Sequence, residues 1–292
     1  MLPLITSYNE TPTVKIIFSG YILLQEKIIV NHSSVYKKSD SAILYSMETP
    51  QLSGFLFINK PKDITSFECI RKLQKIVGYK KGIGHTGTLD PFATGLLIIA
   101  FGRSATKHSD KFLRLDKTYV AKGKLGQLTD TLDYTGTVIV QADASAIHQF
   151  DIESAIQQLG IQYTQTPPIY AALKHQGKPL YQLARNEELT AQELAQIAEQ
   201  KQRTVNLYKL ELIDWQPPFF TLKAHVSHGT YIRSLVNDIA QRAGSCATTY
   251  ELERTNIGPF SLDNAITLNE ITTLDDIKKH LISIKNMLDY LC

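Results

Sequence analysis

The sequence predicts an α+β fold: one main domain around a mostly antiparallel sheet, with helices inserted singly between strands. Three observations predict it. From Gly54 onward, short apolar or alternating runs outnumber the helical periodicities. The helical stretches stand alone among the strands. The 292 residues, 43% hydrophobic and 20% charged, describe an ordinary globular chain with no internal repeat or low-complexity segment.

Residues 1–52 carry no motif and only weak periodicity; an unstructured leader, a small added strand and an over-long start all stay open for them. Phe55-Leu56-Phe57-Ile58-Asn59 reads as a buried strand. The turn Lys60-Pro61-Lys62-Asp63-Ile64-Thr65-Ser66 follows. Ser66 is placed to cap a helix with Phe67, Ile70, Leu73, Gln74 and Val77 on one face and Gly78 at its end. Residues 103–112 look helical. Residues 117–125 alternate as a strand, with Tyr119 and Ala121 on one face and Val120, Lys122 and Lys124 on the other. A polar loop over 126–133 leads to a returning strand over 136–140.

Asp151 is placed to cap a helix carrying Ile152, Ala155, Ile156 and Leu159 and ending at Gly160. Thr190 and Glu193 form a capping box for a helix running to Gln200. Residues 205–215 and the alternation Phe220, Leu222, Ala224, Val226 give two strands, broken by Pro217-Pro218. A helix with Ile232, Leu235, Val236, Ile239 and Ala240 inward ends at Gly244, and residues 248–255 form the last strand. Leu274, Ile277, Leu281, Ile284, Leu288 and Leu291 are in register for one amphipathic helix packed on the core.

Composition narrows the function classes. A formal charge of +3 permits an RNA partner without demanding one, because a nucleic-acid footprint is a local patch. Cys69, Cys246 and Cys292 are far apart, form no CxxC pair, and fit a reducing, cytoplasmic setting without zinc or a disulfide framework. No apolar run reaches the ~18 residues of a membrane span. The nearest, 16–30, is interrupted by Ser19, Gln25, Glu26 and Lys27, and the first fifteen residues lack a basic secretion start.

The chain is organised around Gly84-His85-Thr86-Gly87-Thr88-Leu89-Asp90-Pro91-Phe92-Ala93-Thr94-Gly95-Leu96-Leu97. Its glycines mark a backbone that bends tightly or approaches a ligand closely. Asp90 is its one acid, and Pro91 holds it extended. A carboxylate on a rigid loop ahead of a buried strand is a good way to fix a catalytic group. A lone Asp-Pro is usually just a turn. The whole string, however, fills every fixed position of GHTGxLDPxATGxL. It resembles the catalytic loop of the TruB family of tRNA pseudouridine synthases.

Other segments extend the resemblance over residues 54–260. Residues 60–66 resemble the family's KPxGxTS, with Asp63 in the glycine place, and Asp tolerates a left-handed backbone better than most residues. With Leu125 before them, residues 126–133 match LGxxTDTxD. Residues 164–181, with three prolines, two tyrosines, two lysines and His175, resemble the insertion that grips the tRNA T arm. Standing alone they would read as a long surface loop, although basic groups interleaved with aromatics suit looped RNA.

The resemblance implies isomerisation of uridine 55 in the T loop of tRNA, by a monomer with no cofactor, metal, membrane or protein partner. That reaction breaks the bond from uracil N1 to ribose C1′ and rejoins the base through C5. It needs a carboxylate beside C1′, as nucleophile on sugar or base or as a base toward the sugar. Asp90 is the candidate. Arg233, in Gly229-Thr230-Tyr231-Ile232-Arg233, is its implied partner, since a buried acid needs an opposite charge to stay ionised. Tyr119 is implied to lie against the flipped base, with Tyr231 near it and Leu252 in the apolar pocket. Glu253 stands where most relatives have arginine. His85 reads as an RNA contact, and Lys60 as a polar residue near the pocket.

The expected organisation is an N-terminal extension over 1–52, a pseudouridine synthase catalytic domain over 53–262 with an RNA-gripping insertion at about 163–190, and a helical tail over 263–292 without the PUA domain of many relatives. Two rivals remain. A tRNA-folding chaperone would use the same loops without needing Asp90. A glycosidase would need a second acid, for which Asp130 and Asp133 are the near candidates, although both look like loop residues.

Overall fold

The computed structural model describes Ile17–Phe18, Tyr21–Ile22 and residues 52–291. Ile17–Phe18 and Tyr21–Ile22 pair antiparallel within a unit spanning Met1–Gln51. The rest of that segment, with its three open readings, lies outside the described residues. Leu52–Cys292 forms the second compact unit.

A ten-stranded sheet lies at the centre of this second unit. Its strands are β1 (Gly54–Lys60), β2 (Ile83–His85), β3 (Thr94–Phe101), β4 (Lys117–Leu125) and β5 (Gln162–Gln165). They continue with β6 (Arg203–Gln216), β7 (Phe219–Val226), β8 (Ala247–Ile257), β9 (Phe260–Ser261) and β10 (Ile266–Thr267). The order is β10-β1-β3-β8-β4-β7-β6-β5, with β2 on β3 and β9 on β8. Only the β3–β8 and β1–β10 pairings are parallel. The sheet is therefore mixed and mostly antiparallel, as the sequence predicts.

Three main helices flank it, α1 (Ser66–Val77), α2 (Gln149–Leu159) and α4 (Ile232–Arg242), while a further helix, α3 (Ala191–Gln200), packs on the insertion. Strands β1 and β3 are covered on both faces, which is why they read as continuous apolar runs. Leu56, Ile58, Leu97 and Ile99 pack with Ile70, Leu73 and Val77 of α1. Phe55, Phe57, Leu96 and Ile98 pack with Phe112, Phe260 and Met287 on the other side. Helices α2 and α4 cover β4, β7 and β8 in a third cluster.

Several boundaries differ from the expectation. The cap of α1 is Thr65, because a capping box needs the residue three before Glu68: Glu68 N–H donates to Thr65 Oγ1 at 3.0 Å, and Thr65 N–H donates to the Glu68 carboxylate at 2.7 Å. Ser66 instead both donates to and accepts from the Leu89 main chain, tying the helix to the central loop. Phe67 is exposed, and Cys69 takes its place on the buried face. For α2 the same logic makes His148 the cap, and Asp151 the third residue whose carboxylate accepts the His148 N–H.

Residues 103–112 divide into two short helices, Arg103–Thr106 and Ser109–Leu113. Part of the polar loop, Gln127–Thr129, pairs with Val138–Gln141. The strand over 248–255 is not the last, since β9 and β10 follow it. The tail is not one helix: Leu274–His280 and Ile284–Asp289 are separated where Ile282 exchanges two backbone hydrogen bonds with Phe55, at 2.8 and 2.7 Å. Continuing the helix through Ile282 would leave the buried Phe55 amide and carbonyl unpaired there. The insertion has a small core of its own, Leu180 and Leu183 with Leu194 and Ile197, and so extends into α3. No helix among the described residues is long and apolar enough to cross a membrane.

The β3–β8 seam sets the site, because β3 leaves the central loop directly and β8 carries Leu252. It pairs Gly95 with Arg254. Gly95 has φ +106°, and a Cβ there would lie 2.3 Å from the Arg254 carbonyl oxygen, a backbone atom that cannot swing aside. Gly95→Ala is expected to cost ~3 kcal/mol of stability, read from urea unfolding, through backbone strain and overpacking together.

Candidate active site

The central loop between β2 and β3 is pinned from beneath. Lys60 is fully buried, and its ammonium donates to the carbonyls of Pro61, Ile64 and Pro91 at 2.8, 2.8 and 3.0 Å. Burial pushes its pKa down to about 8. All three protons are spent on the loops. Lys60 fixes Pro91, the neighbour of Asp90. Asp63 donates its N–H to the same Pro91 carbonyl at 2.9 Å and holds φ 64°, so the glycine-like turn survives with Asp in place.

Arg254, also buried, donates to the carbonyls of Leu96, Gly87 and Thr88 at 2.9, 3.1 and 3.4 Å. It lies one residue beyond Glu253. His85, on β2, is half-buried and accepts the Gly87 N–H at 3.4 Å. Burial, helped by the Arg254 charge, lowers its pKa below the ordinary 6.5, so it is neutral at pH 7.

Asp90 rides on this anchored loop, about one-third exposed. Arg233, in the first turn of α4 and nearly buried, meets it with both arms of its fork: Nε to Oδ2 at 2.9 Å and Nη2 to Oδ1 at 3.2 Å. The bidentate geometry is the strong form of such a pair. The remaining donors of Arg233 reach the Tyr170 carbonyl at 3.0 Å, the Thr131 carbonyl at 2.6 Å and the Asp133 carboxylate at 3.3 Å. One guanidinium thus joins the central loop, the 131–133 loop, the base of the insertion and α4. Two carboxylates share it, which satisfies the cost of burying it.

Tyr119 and Leu252 lie in one buried cluster with Leu89 and Phe92 of the loop. Tyr119 pairs with Arg254, and Ala121 with Leu252, across β4 and β8. Tyr231 is the cap residue of α4, two before Arg233. The structure therefore pairs Asp90 with Arg233, sets Tyr231 two residues from Arg233, and packs Tyr119 and Leu252 in one cluster with Leu89 and Phe92 of the Asp90 loop, with His85 at the end of β2 and Lys60 beneath the loop.

Sequence reasoning missed part of this. Asp133 figures there only as a rival acid, yet it is buried against Arg233. Its place in the segment matching LGxxTDTxD was the available signal. Arg254 was adjacent to a residue already chosen. The carbonyls of Thr131 and Tyr170 leave no trace in side-chain patterns. Among the described residues no group of three or more His, Cys, Asp or Glu side chains could hold a metal ion.

Comparison with known proteins adds an independent line. A model of the TruB family pseudouridylate synthase N-terminal domain matches residues 74–232. A tRNA pseudouridine synthase B of Clostridium tetani is 42% identical over 220 residues, covering 75% of this chain and 73% of that protein. Its namesake in Protochlamydia amoebophila is 38% identical over 239 residues, covering 81% and 87%. A solved Cbf5–Nop10–Gar1 complex contains a chain similar in fold, with a TM-score of 0.57 at 24% identity; the match spans 81% of this chain and 57% of that one.

Proposed function

Because the chain belongs to the TruB family and isomerises uridine to pseudouridine in tRNA, we propose that its target is uridine 55 of the T loop, that Asp90 is the catalytic carboxylate, and that it works as a monomer without a cofactor. The observation that carries the site reading is the two-armed grip of Arg233 on Asp90. A carboxylate held by a buried guanidinium keeps its orientation before substrate arrives, so no reorganisation is required as charge develops on the sugar.

The target nucleotide leaves its stack and enters between the aromatic walls. Tyr119 faces the base, Leu252 closes the apolar side, and Asp90 meets C1′. The N1–C1′ bond breaks, the uracil turns, C5 bonds to C1′, the C5 proton goes to solvent, and N1 takes up a proton. The product is an isomer, with no net donor or acceptor. The insertion holds the T arm: its Lys174–His175 and Lys178–Pro179 strands form a basic hairpin closed by Gln176 and Gly177, both at positive φ. His85 contacts the RNA as a neutral ring.

A minimal substrate tests the T-arm reading. A T-arm stem-loop transcript should be converted with kcat/KM within about tenfold of full-length tRNA, because binding energy comes from that arm. An anticodon stem-loop should not be converted. Equal conversion of both stem-loops would contradict recognition of the T arm.

A further inference from the structure

Two residues outside the roles above converge on Tyr231. Gln165, fully buried on β5, closes its amide on the Tyr231 main chain from both sides. Tyr231 N–H donates to Gln165 Oε1 at 2.8 Å, and Gln165 Nε2 donates to the Tyr231 carbonyl at 2.8 Å. Nε2 also reaches the Tyr163 hydroxyl. The first residue of β6, Arg203, lies over the ring, with its guanidinium carbon 4.8 Å from the ring centre, and Nη2 donates to the Tyr231 hydroxyl at 3.0 Å. Gly229 makes room for it: a Cβ there would lie 2.7 Å from Arg203 Nη1.

A phenol has one proton and two acceptor lone pairs, and a guanidinium can only donate. Arg203 therefore occupies a lone pair and leaves the Tyr231 proton free to be given elsewhere. Among the described residues no acceptor takes it. Gln165 fixes the main chain from which the ring extends, so the ring has little freedom to seek another partner. Tyr231 is two residues from Arg233, and burial pushes its phenol pKa above the ordinary value, with the Arg203 and Arg233 charges opposing the rise and the Asp90 charge adding to it.

We propose that Arg203 is a positioning residue for the isomerisation: by holding one lone pair of the Tyr231 hydroxyl, it presets that hydroxyl to donate its proton to an oxygen of the bound nucleotide. Gln165 supports the same arrangement from the main chain. The proposal rests on the reading of the pocket as the nucleotide site.

A double-mutant cycle in single-turnover isomerisation of a tRNA transcript tests it. Arg203→Met and Tyr231→Phe should each slow the chemical step about tenfold or more, with tRNA affinity within about twofold. The double variant should be no more than about threefold slower than the slower single variant, because Arg203 acts through the hydroxyl. Arg203→Lys, which keeps a cationic donor, should recover part of the loss with Tyr231 present and none in the Tyr231→Phe background.

Equal losses from Arg203→Met in both backgrounds would overturn the proposal, as would a loss carried by tRNA affinity, which would make Arg203 a direct RNA contact. Should Arg203→Met fail to fold, the Arg203→Lys pair carries the same comparison. Failure of the pocket reading looks different: Asp90→Asn and Tyr231→Phe would then both isomerise the transcript at the wild-type rate.

Discussion

Asp90→Asn is expected to lower kcat by at least about 10³-fold while leaving the fold and tRNA binding nearly intact. The side chain keeps its size and its ability to accept from Arg233, but the charge needed at C1′ is gone. Arg233 keeps the buried carboxylate of Asp133 and two carbonyls. Asp90 is itself about one-third exposed, so losing its share of the pair should cost no more than ~1 kcal/mol after solvent screening. The thermal midpoint should then move by no more than about 3 °C. Tight binding without turnover is the signature to look for, by filter binding and single-turnover kinetics on the same preparation. A variant that still turned over at near the wild-type rate would remove Asp90 from the chemistry.

Arg233→Met should lose both activity and stability. It unpairs two carboxylates at once, and Asp133 is buried. Removing one partner of a buried pair costs about 3–5 kcal/mol, most of it from the uncompensated charge left behind. The variant also frees the four segments that the guanidinium joins, so kcat should fall about 10²- to 10³-fold as the Asp90 carboxylate loses its fixed orientation. Arg233→Lys should recover part of the stability and little of the rate, because an ammonium offers one point charge where the site uses a planar fork. Urea unfolding beside kinetics separates the two losses. The contrast with Asp90→Asn matters most, since one substitution should silence the site and leave the protein standing, and the other should do both.

The sequence made the fold legible where one physical requirement fixed the local answer. The alternation Phe220, Leu222, Ala224, Val226 became β7 with those four residues inward, and Ile232 to Ala240 became the buried side of α4. The Thr190–Glu193 box capped its helix as read. Where two local signals competed, the reading slipped: Ser66 and Thr65 are both good caps, and only the partner Glu68 decides between them. The tail failed for a tertiary reason, because the register of Leu274 to Leu291 is helical throughout while the Phe55–Ile282 backbone pairing breaks it.

At the site, the residues that carry chemistry sit in long local strings and were readable there. Of the residues that hold them, Arg233 and Lys60 were named from their motifs, but what Lys60 holds was not legible, and Arg254, Gln165 and Arg203 were given no role. Lys60, Arg254, Gln165 and Arg203 act on carbonyls, on main-chain amides and on one hydroxyl contributed by segments far away in sequence. Such contacts exist only once β3, β8, β5 and β6 have assembled.

The most direct test of the central claim is tritium release from a tRNA transcript labelled at C5 of every uridine, beside the same transcript with cytidine at position 55. The account predicts release of one equivalent of label per tRNA from the first transcript, with pseudouridine at position 55, and none from the second. Equal release from both transcripts, or none from either, would contradict it.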